Sequence, residues 1–404
     1  MERILVVCND PPYPAIHGGR MDIWNRIKGF AKIGLRIQLI YWYDSSRPTE
    51  KDKAVMYDVV ENIIEFQRKM TLSDLLHYKY PPRMMSCNIS KRQFDDQLHN
   101  LKQFNPDCVW LDLWCGYLTA KKISNTLQKP LIYRSQNVEF KYFQQLYKDA
   151  VGMLKIKLFL NLIRMKKVEL EVRTESDFVY DISQPDNSTW INEAPLLKSD
   201  VLLPTWLQSE EIVTDDNYSS APDIDILFVG NLINPSNVAG LKWFVLAVLE
   251  TVRSQIGKIN IVFAGSNPSD EVRLLCAKYS IECVPDPENV YIYYNRAKVI
   301  INPQLEGSGI SLKMVELLST SNHIVTTSVG ARGLPNKVID NFNIANTPEE
   351  FSERIISCLT GGNIVDRQLR KAHLEEYFGI NPLLTVLNKI DDFNKANKLS
   401  KAGS

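Results

Sequence analysis

Short apolar runs alternate along this chain with longer stretches of helical period, and this alternation constrains the fold more than any other feature. A strand of a parallel sheet is buried on both faces, so it appears as a continuous apolar run, and a crossover helix must follow it. The alternation stops in a polar stretch interrupted by prolines around 186–221 and then begins again. We therefore predict an α/β protein built from two Rossmann-like halves.

The predicted elements follow from this pattern. In the first half the expected strands are Ile4–Val7, Ile37–Tyr41, Cys108–Leu111, Leu131–Tyr133 and Phe178–Tyr180. In the second half they are Ile226–Val229, Ile259–Ala264, Ile281–Val284, Lys298–Ile301 and Ile324–Thr327. Helices are expected at Asp22–Ile33, which ends before Gly34, at Leu154–Thr174, and from about Asn381 to Ala396.

The chain has 404 residues, more than one hydrophobic core usually supports, so two domains are expected. We place the N-terminal domain at 1–203 and the C-terminal domain at 204–380. The connection between them is expected near 203–222. The segment 381–404 is expected to form a helix that could pack back on the N-terminal domain, followed by a disordered tail.

Composition excludes several classes of protein. Basic and acidic residues balance at 47 each, so no net field favours nucleic acid as a partner. Seven cysteines without a C-x-x-C pair, and without metal-type spacing to the five histidines, indicate free thiols in a reducing compartment. The N-terminus lacks the features of a signal peptide, and no apolar stretch approaches the ~20 residues that span a bilayer. We expect a cytoplasmic protein with no cofactor and no metal, which could still touch a membrane surface.

The first segment that indicates chemistry follows the first strand, from Asn9 to Arg20. Loops at the carboxyl ends of parallel strands are where α/β proteins bind ligands. Gly18 and Gly19 would let the backbone approach a diphosphate, beside the N-terminus of the Asp22 helix. A turn that merely needs glycine is the alternative. The loop is not the G-x-G-x-x-G of a dehydrogenase, which weakens a nicotinamide interpretation.

Two further segments lie at predicted strand ends in the second half. Ile301–Glu316 is an apolar strand, a loop bracketed by Gly307 and Gly309, and a helix carrying Lys313 and Glu316 three residues apart. Such a loop and helix start can hold a diphosphate. The alternative is that Lys313 and Glu316 form a plain surface ion pair. Phe228–Asn237 is a strand ending in Gly-Asn before a helix start, where the asparagines could be simple caps.

These segments, in this order, resemble glycosyltransferase family 4, a large family of retaining GT-B enzymes of bacterial polysaccharide and glycolipid assembly. The resemblance spans nearly the whole chain. The matching motifs are the Gly-Gly loop at Pro11–Arg20, Ser135-Gln-Asn-Val-Glu139 with the basic helix after it, Phe228–Asn237 with Trp243-Phe244, Glu306–Glu316, and Thr327–Leu334.

The resemblance implies a GT-B fold, with two Rossmann-like domains facing a central cleft, the N-terminal one binding the acceptor and the C-terminal one the nucleotide sugar. It implies that Glu316 hydrogen-bonds the ribose, that Lys313 offsets diphosphate charge, and that the base meets the backbone at Val284-Pro-Asp286. The expected catalytic residues are Lys313 and Glu306. The expected substrate-binding residues are Gly18, Gly19, Arg20, Gly230, Asn231, Asn237, Val284, Pro285, Gly307, Ser308, Gly309, Ile310, Glu316 and Glu139.

The sequence departs from the family pattern in three places. Glu306 and Glu316 are separated by nine residues where the family has seven, which puts the sugar-reading role of Glu306 in doubt. Asn231, Asn234 and Asn237 stand where Arg and Lys are usual, so neutralisation of the phosphates would fall on Lys313 and on Arg20 or Arg332. Gln136 takes the place of a histidine that contacts the donor sugar.

The implied reaction moves a sugar from a UDP-sugar or GDP-sugar to a glycan or lipid-linked acceptor, with retention, without metal, and with Glu139 as a candidate acceptor-orienting group. Lys313 and backbone N–H groups would stabilise the leaving diphosphate. A nucleotide-sugar epimerase or phosphorylase, and a non-catalytic scaffold subunit of a polysaccharide complex, stay open as alternatives. The basic helix Leu154–Thr174 could contact anionic lipid, or be the solvated face of a crossover helix.

Overall fold

The computed structural model describes residues 1–16, 18–207, 221–307, 309–361 and 365–402. Contacts divide the chain into two compact units: Met1–Leu207 with Tyr377–Ser404, here called the N-terminal unit, and Gln208–Glu376, here called the C-terminal unit. Each unit is built on one parallel sheet, as the alternation of apolar runs and helices predicts. Most of the predicted connection, 208–220, lies outside the described residues.

The N-terminal unit has a seven-stranded sheet in the order β3-β2-β1-β4-β5-β6-β7. Its strands are β1 (Arg3–Cys8), β2 (Arg36–Tyr43), β3 (Asn62–Gln67), β4 (Cys108–Asp112), β5 (Leu131–Arg134), β6 (Phe178–Asp181) and β7 (Asp200–Val201). Its first nine helices are α1 (Gly18–Lys32), α2 (Glu50–Tyr57), α3 (Leu72–Leu76), α4 (Pro82–Met85), α5 (Lys91–Phe104), α6 (Tyr117–Leu127), α7 (Glu139–Asp149), α8 (Gly152–Thr174) and α9 (Gln184–Glu193).

The C-terminal unit has a six-stranded sheet in the order β10-β9-β8-β11-β12-β13. Its strands are β8 (Ile224–Val229), β9 (Ile261–Gly265), β10 (Glu282–Pro285), β11 (Ala297–Asn302), β12 (His323–Thr326) and β13 (Asn343–Ile344). Its helices are α10 (Pro235–Trp243), α11 (Leu249–Ile256), α12 (Asp270–Lys278), α13 (Tyr291–Arg296), α14 (Leu312–Leu317), α15 (Asn336–Ile339) and α16 (Pro348–Leu359), with a π-helical segment at Phe244–Val248. Helix α17 (Arg367–Phe378) spans the boundary after Glu376.

The last helix, α18 (Ile380–Ala402), belongs to the N-terminal unit. Its residues Leu383, Val386, Leu387 and Ile390 are buried in the same cluster as β1 and α1. Alternate residues of β1 face the two sides of the sheet, so a second cluster covers the opposite face. Among the described residues, no helix combines the length and the apolar character that crossing a bilayer requires.

One predicted boundary is wrong in a way that bears on the site. Helix α1 begins at Gly18 rather than at Asp22, so Gly18 and Gly19 lie in the first helical turn and not in a loop. The first four N–H groups of a helix have no carbonyl partner within it, so the helix itself does not use the N–H groups of Gly18 and Gly19. Both glycines belong to the helix, so their freedom to adopt positive φ is not used.

Candidate functional site

Four strands of the C-terminal unit end side by side, and the predicted residues follow those ends. Strand β8 ends before Gly230, β9 ends at Gly265, β10 at Pro285 and β11 at Asn302. All of these strands are parallel, so their carboxyl ends share one edge of the sheet. The edge of this unit therefore carries Gly230, Asn231, Val284 and Pro285, together with the loop that leads from β11 to α14.

Glycine is required where β9 ends, and the position that follows β8 is closely surrounded by side chains. A Cβ atom on Gly265 would lie 1.7 Å from the carbonyl oxygen of Gly230, closer than atoms can approach. A Cβ atom on Gly230 would lie 3.0 Å from Nζ of Lys313 and 3.2 Å from Nδ2 of Asn237. Because Gly230 has no side chain, the ammonium group of Lys313 lies close to the backbone that follows β8.

Lys313, in the second residue of the short helix α14, has few partners. Its Nζ lies 4.2 Å from the centroid of the Phe228 ring and 3.5 Å from Oδ1 of Asn302. It forms no ion pair with any carboxylate among the described residues. Burial lowers the pKa of Lys313 to about 8, against the opposing effect of Glu316. The group is thus mostly cationic at neutral pH, and Glu316 is near enough to act on its charge without forming an ion pair with it.

Glu316 lies one helical turn from Lys313 and is also enclosed. Burial raises the pKa of Glu316 to about 7, while a hydrogen bond from Tyr291 and the charge of Lys313 act to lower it. Tyr294 is buried nearby, and its ring centroid lies 5.8 Å from that of Tyr291. The alternative of a plain surface ion pair is therefore wrong, because neither side chain is freely exposed and no ion pair joins them.

The glycine-rich loop after β11 is held by Arg332. The guanidinium donates to the carbonyl oxygen of Gly307, and its Nη2 donates to that of Gly309 at 3.2 Å. Gly309 has φ +70° and Gly333 has φ +83°, so both need glycine's freedom. Arg332 therefore fixes the loop through its carbonyls. Ser308, predicted to bind substrate, lies outside the described residues.

The asparagines after β8 hold the local backbone. Asn237 donates from Nδ2 to the carbonyl of Asn231 at 2.9 Å, and Oδ1 of Asn231 accepts from the N–H of Ile233 at 3.0 Å. Asn234 caps α10 by accepting from the N–H of Ser236. The structure thus shows the capping role for Asn234 and a local turn at Asn231, and the substrate contacts predicted for Asn231 and Asn237 stay predictions.

The remaining predicted residues of this unit lie at the end of β10 and on the loop that follows β11. Pro285 ends β10 and is exposed, and Val284 before it is half-buried. Asp286 donates its N–H to the carbonyl of Gly265 at 2.9 Å and accepts from Asn267 at 3.0 Å, which ties this turn to the end of β9. Glu306 is exposed on the loop that follows β11, and Ile310 at the end of that loop is half-buried.

In the N-terminal unit the predicted residues lie at the corresponding edge of its own sheet. Gln136, which follows β5, donates from Nε2 to the carbonyl of Gly19 at 3.1 Å and lies 3.4 Å from Oδ2 of Asp22. Gly18, Gly19 and Arg20 form the first turn of α1. Glu139 is buried, and burial raises its pKa to about 7 against hydrogen bonds from Trp114 and Asn137.

Three residues that contact the predicted site residues were not identified from the sequence. Asn302 ends β11 and contacts Lys313, Tyr291 hydrogen-bonds Glu316, and Glu169 lies on α8. Asn302 could have been found, since a polar residue directly after an apolar run marks a strand's carboxyl end. Tyr291 and Glu169 carry no such signal.

Among the described residues, no group of three or more His, Cys, Asp or Glu side chains could hold a metal ion.

Comparison with known proteins assigns the C-terminal unit to a class. Residues 223–361 match a family model described as "Glycosyl transferases group 1". A Klebsiella pneumoniae protein described as an uncharacterized 44.6 kDa protein in the cps region is 25% identical over 371 residues, which cover 88% of this chain and 91% of that protein.

Solved structures share the fold over nearly the whole chain. Anabaena HepE in complex with UDP has a TM-score of 0.61 at 10% identity, over 98% of this chain and all of that one. TarM gives 0.64 at 9% identity over 96% and 98%, and a Rickettsia africae glycosyltransferase gives 0.61 at 15% over 98% and 99%. The fold is the GT-B fold, and together with the family match it supports a GT-B glycosyltransferase. Membership of family 4 stays a prediction.

Proposed function

We propose that this protein is a retaining hexosyltransferase of family 4 that moves a sugar from a nucleotide-diphosphate sugar to a glycan or lipid-linked acceptor. The observation that carries the proposal is Lys313, an ammonium group without a carboxylate partner among the described residues. It stands at the carboxyl edge of a parallel sheet, where α/β proteins bind nucleotides. An unpaired buried cation is costly unless an anion compensates for it, and a diphosphate supplies that anion.

The chemistry proposed for this site is electrostatic. Negative charge develops on the leaving diphosphate as the bond to the sugar breaks, and Lys313 and the backbone of the Gly307–Ile310 loop would stabilise it. Glu316, whose pKa lies near neutrality, is proposed to hydrogen-bond the ribose hydroxyls. We propose front-face attack by the acceptor hydroxyl and no requirement for a metal ion.

We propose that the acceptor belongs to the assembly of a bacterial surface polysaccharide or glycolipid. The Klebsiella pneumoniae relative in the cps region supports this setting. The relation to a protein solved with UDP and with UDP-glucose makes UDP-sugars the first donors to try.

The decisive experiment measures both nucleotide binding and consumption of the donor. Thermal unfolding is followed with UDP, GDP, ADP, CMP and dTDP in EDTA, because a ligand of the folded state raises the midpoint. Donor consumption is then measured for Lys313→Ala and Glu316→Ala, each expected to lose well over tenfold, or about 1.4 kcal/mol or more of transition-state stabilisation. Lys242→Ala, which removes only a surface pair with Glu271, is the matched control.

Each outcome has a definite meaning. Full turnover in both site variants would overturn the assignment of the donor site. Binding of one nucleotide without turnover of its sugars would favour a non-catalytic binding subunit, the second candidate function. Release of a sugar phosphate in the presence of free phosphate would indicate a phosphorylase instead.

We also propose that helix α8 brings the protein to the inner face of the plasma membrane. The first half of α8 exposes Met153 (69%), Ile156 (56%), Phe159 (46%) and Ile163 (52%), spaced three, three and four residues apart and so on one helical face. Exposed Lys167 and partly exposed Lys155 lie on the same helix. An apolar face flanked by lysines suits an anionic lipid surface better than water, which disfavours the alternative of a solvated crossover helix.

A further inference from the structure

Helix α7 starts directly after the Ser135–Val138 segment and has no cap of its own. Val138 occupies the N-cap position, and its side chain cannot accept a hydrogen bond. The free N–H groups of this first turn are taken up by Glu169 of α8, whose Oε1 accepts from Glu139 N at 3.0 Å and whose Oε2 accepts from Phe140 N at 2.8 Å. A carboxylate at a helix N-terminus also meets the positive end of the helix dipole.

The residues 135–139, which lead into α7 and include its first residue, carry Gln136 and Glu139. Other contacts of this segment include the carbonyl of Ser135, which accepts from Nη1 of Arg134 at 2.6 Å, the hydroxyl of Ser135, which donates to the carbonyl of Asn137 at 2.6 Å, and the N–H of Ser135, which donates to the carbonyl of Tyr180 at 2.9 Å. Gln136 reaches from this segment to the carbonyl of Gly19. The bidentate contact with Glu169 therefore anchors the carboxyl-terminal end of the segment, and Arg134 anchors its start.

Glu139 and Glu169 are two carboxyl groups enclosed together. Glu169 is completely buried and Glu139 nearly so. Burial raises the pKa of Glu139 to about 7 and that of Glu169 to about 8, and the charge on Glu139 contributes to the second shift. Two like charges in one apolar enclosure are disfavoured, so the pair retains a proton near neutral pH. The charged and titratable groups that face the pair are Arg173 of α8, Arg83 of α4, Asp186 of α9, Tyr133 of β5 and Tyr142 of α7.

We propose that Glu169 is a positioning residue for sugar transfer: it caps α7 and thereby holds Glu139 and Gln136 where they meet the substrate. Glu139 would then accept a hydrogen bond from the attacking hydroxyl of the acceptor. The inference rests on the proposed function, since it assigns Glu169 a part in that reaction. Glu169 is completely buried, so it would act through Glu139 and Gln136 rather than on the substrate.

The first test needs no substrate. In Glu169→Gln, an amide replaces one acceptor, so one of the two N–H groups of α7 loses its partner. Hydrogen exchange of peptides covering 135–146 should become at least about tenfold faster, while α6 keeps its protection. Glu171→Gln is the control, since Glu171 lies two residues further along α8 and pairs with Lys79 on the surface. Unchanged exchange over 135–146 in Glu169→Gln would overturn the cap.

The second test asks whether the two carboxyl groups share one enclosure. Carbon-13 labelled glutamate gives the titration of each carboxyl group by NMR, and Glu169→Gln identifies the Glu169 signal. Removing the charge of Glu139 should move the titration of Glu169 to lower pH in Glu139→Gln, whereas Glu171→Gln should leave it unchanged. If Glu169→Gln does not fold, Glu169→Asp, which keeps a carboxyl group but shortens its reach, should speed exchange over 135–146.

Turnover of the donor found by nucleotide screening completes the test. Glu169→Gln should lower kcat by about tenfold to a hundredfold with little change in KM for the donor. Faster exchange with unchanged kcat would overturn the positioning role and leave the proposed function standing. No turnover by the wild-type protein would count against the proposed function, while the exchange result would still decide the cap.

Discussion

Lys313 shows what can be predicted for a single residue from the sequence. The spacing of Lys313 and Glu316 behind a glycine-rich loop indicates a shared helix face, and the structure places both side chains at the carboxyl edge of the sheet. Their partners could not be predicted. Phe228 and Asn302 reach Lys313 from β8 and β11, and Tyr291 reaches Glu316 from α13, so these contacts exist only once the sheet is assembled.

The depressed pKa of Lys313 predicts how nucleotide binding depends on pH. A bound diphosphate favours the ammonium form, so affinity is greatest below the pKa of about 8 and falls as the group loses its proton above it. The Kd for UDP, measured by calorimetry in EDTA, should rise by up to about tenfold between about pH 7 and about pH 9.

Lys313→Arg provides the control for this measurement. An arginine keeps its charge across the range, so any change left in that variant comes from the nucleotide or the rest of the site. An equal pH dependence in wild type and Lys313→Arg would show that Lys313 does not meet the diphosphate.

At the scale of elements, apolar runs identify strands well when the strands are apolar and several residues long, and poorly when they are short or polar. The ten predicted strands all correspond to strands of the two sheets, with boundaries that differ by a residue or two. The missed strands are β3, β7 and β13. Strand β3 is at a sheet edge and carries polar residues along half-exposed positions, and β7 and β13 have only two residues each. A short or polar strand is specified by its neighbour rather than by its own sequence.

The contact between α10 and the loop after β11 depends on one glycine. A Cβ atom on Gly240 would lie 2.2 Å from the carbonyl oxygen of Pro303, which begins the glycine-rich loop. Gly240→Ala should therefore destabilise the protein by about 1–3 kcal/mol, the usual cost of overpacking, and should weaken UDP binding by moving that loop. Urea unfolding and calorimetry would measure the two effects.

A matched alanine substitution controls for the change in helix propensity. Lys242→Ala lies two residues further along the same helix, on its surface, and should alter neither quantity by more than a few tenths of a kcal/mol. A Gly240→Ala variant as stable as Lys242→Ala would mean that α10 does not pack against Pro303 as described.

For the molecule as a whole, the apolar face of α8 predicts binding to lipid. The protein should co-sediment with vesicles of phosphatidylcholine containing about 30% phosphatidylglycerol and much less with phosphatidylcholine alone, since each basic residue near an anionic surface contributes about 1 kcal/mol. Ile156→Asp combined with Phe159→Asp should reduce the bound fraction severalfold. Leu274→Asp, at a more exposed leucine of the C-terminal unit, should not. Equal binding by all three proteins would exclude α8 as the contact.

The two-unit organisation has a consequence for how the protein is made. Helix α18 completes the N-terminal unit: Leu383 fits against Gly29 of α1, and the N-terminal amine of Met1 pairs with Asp391 at 3.0 Å. On the ribosome, residues 380–402 emerge only after the entire C-terminal unit has been synthesised. Most of the N-terminal unit is synthesised first, yet its core can be completed only at the end of synthesis. The C-terminal unit is contiguous in sequence, so all of its strands have been synthesised before that point.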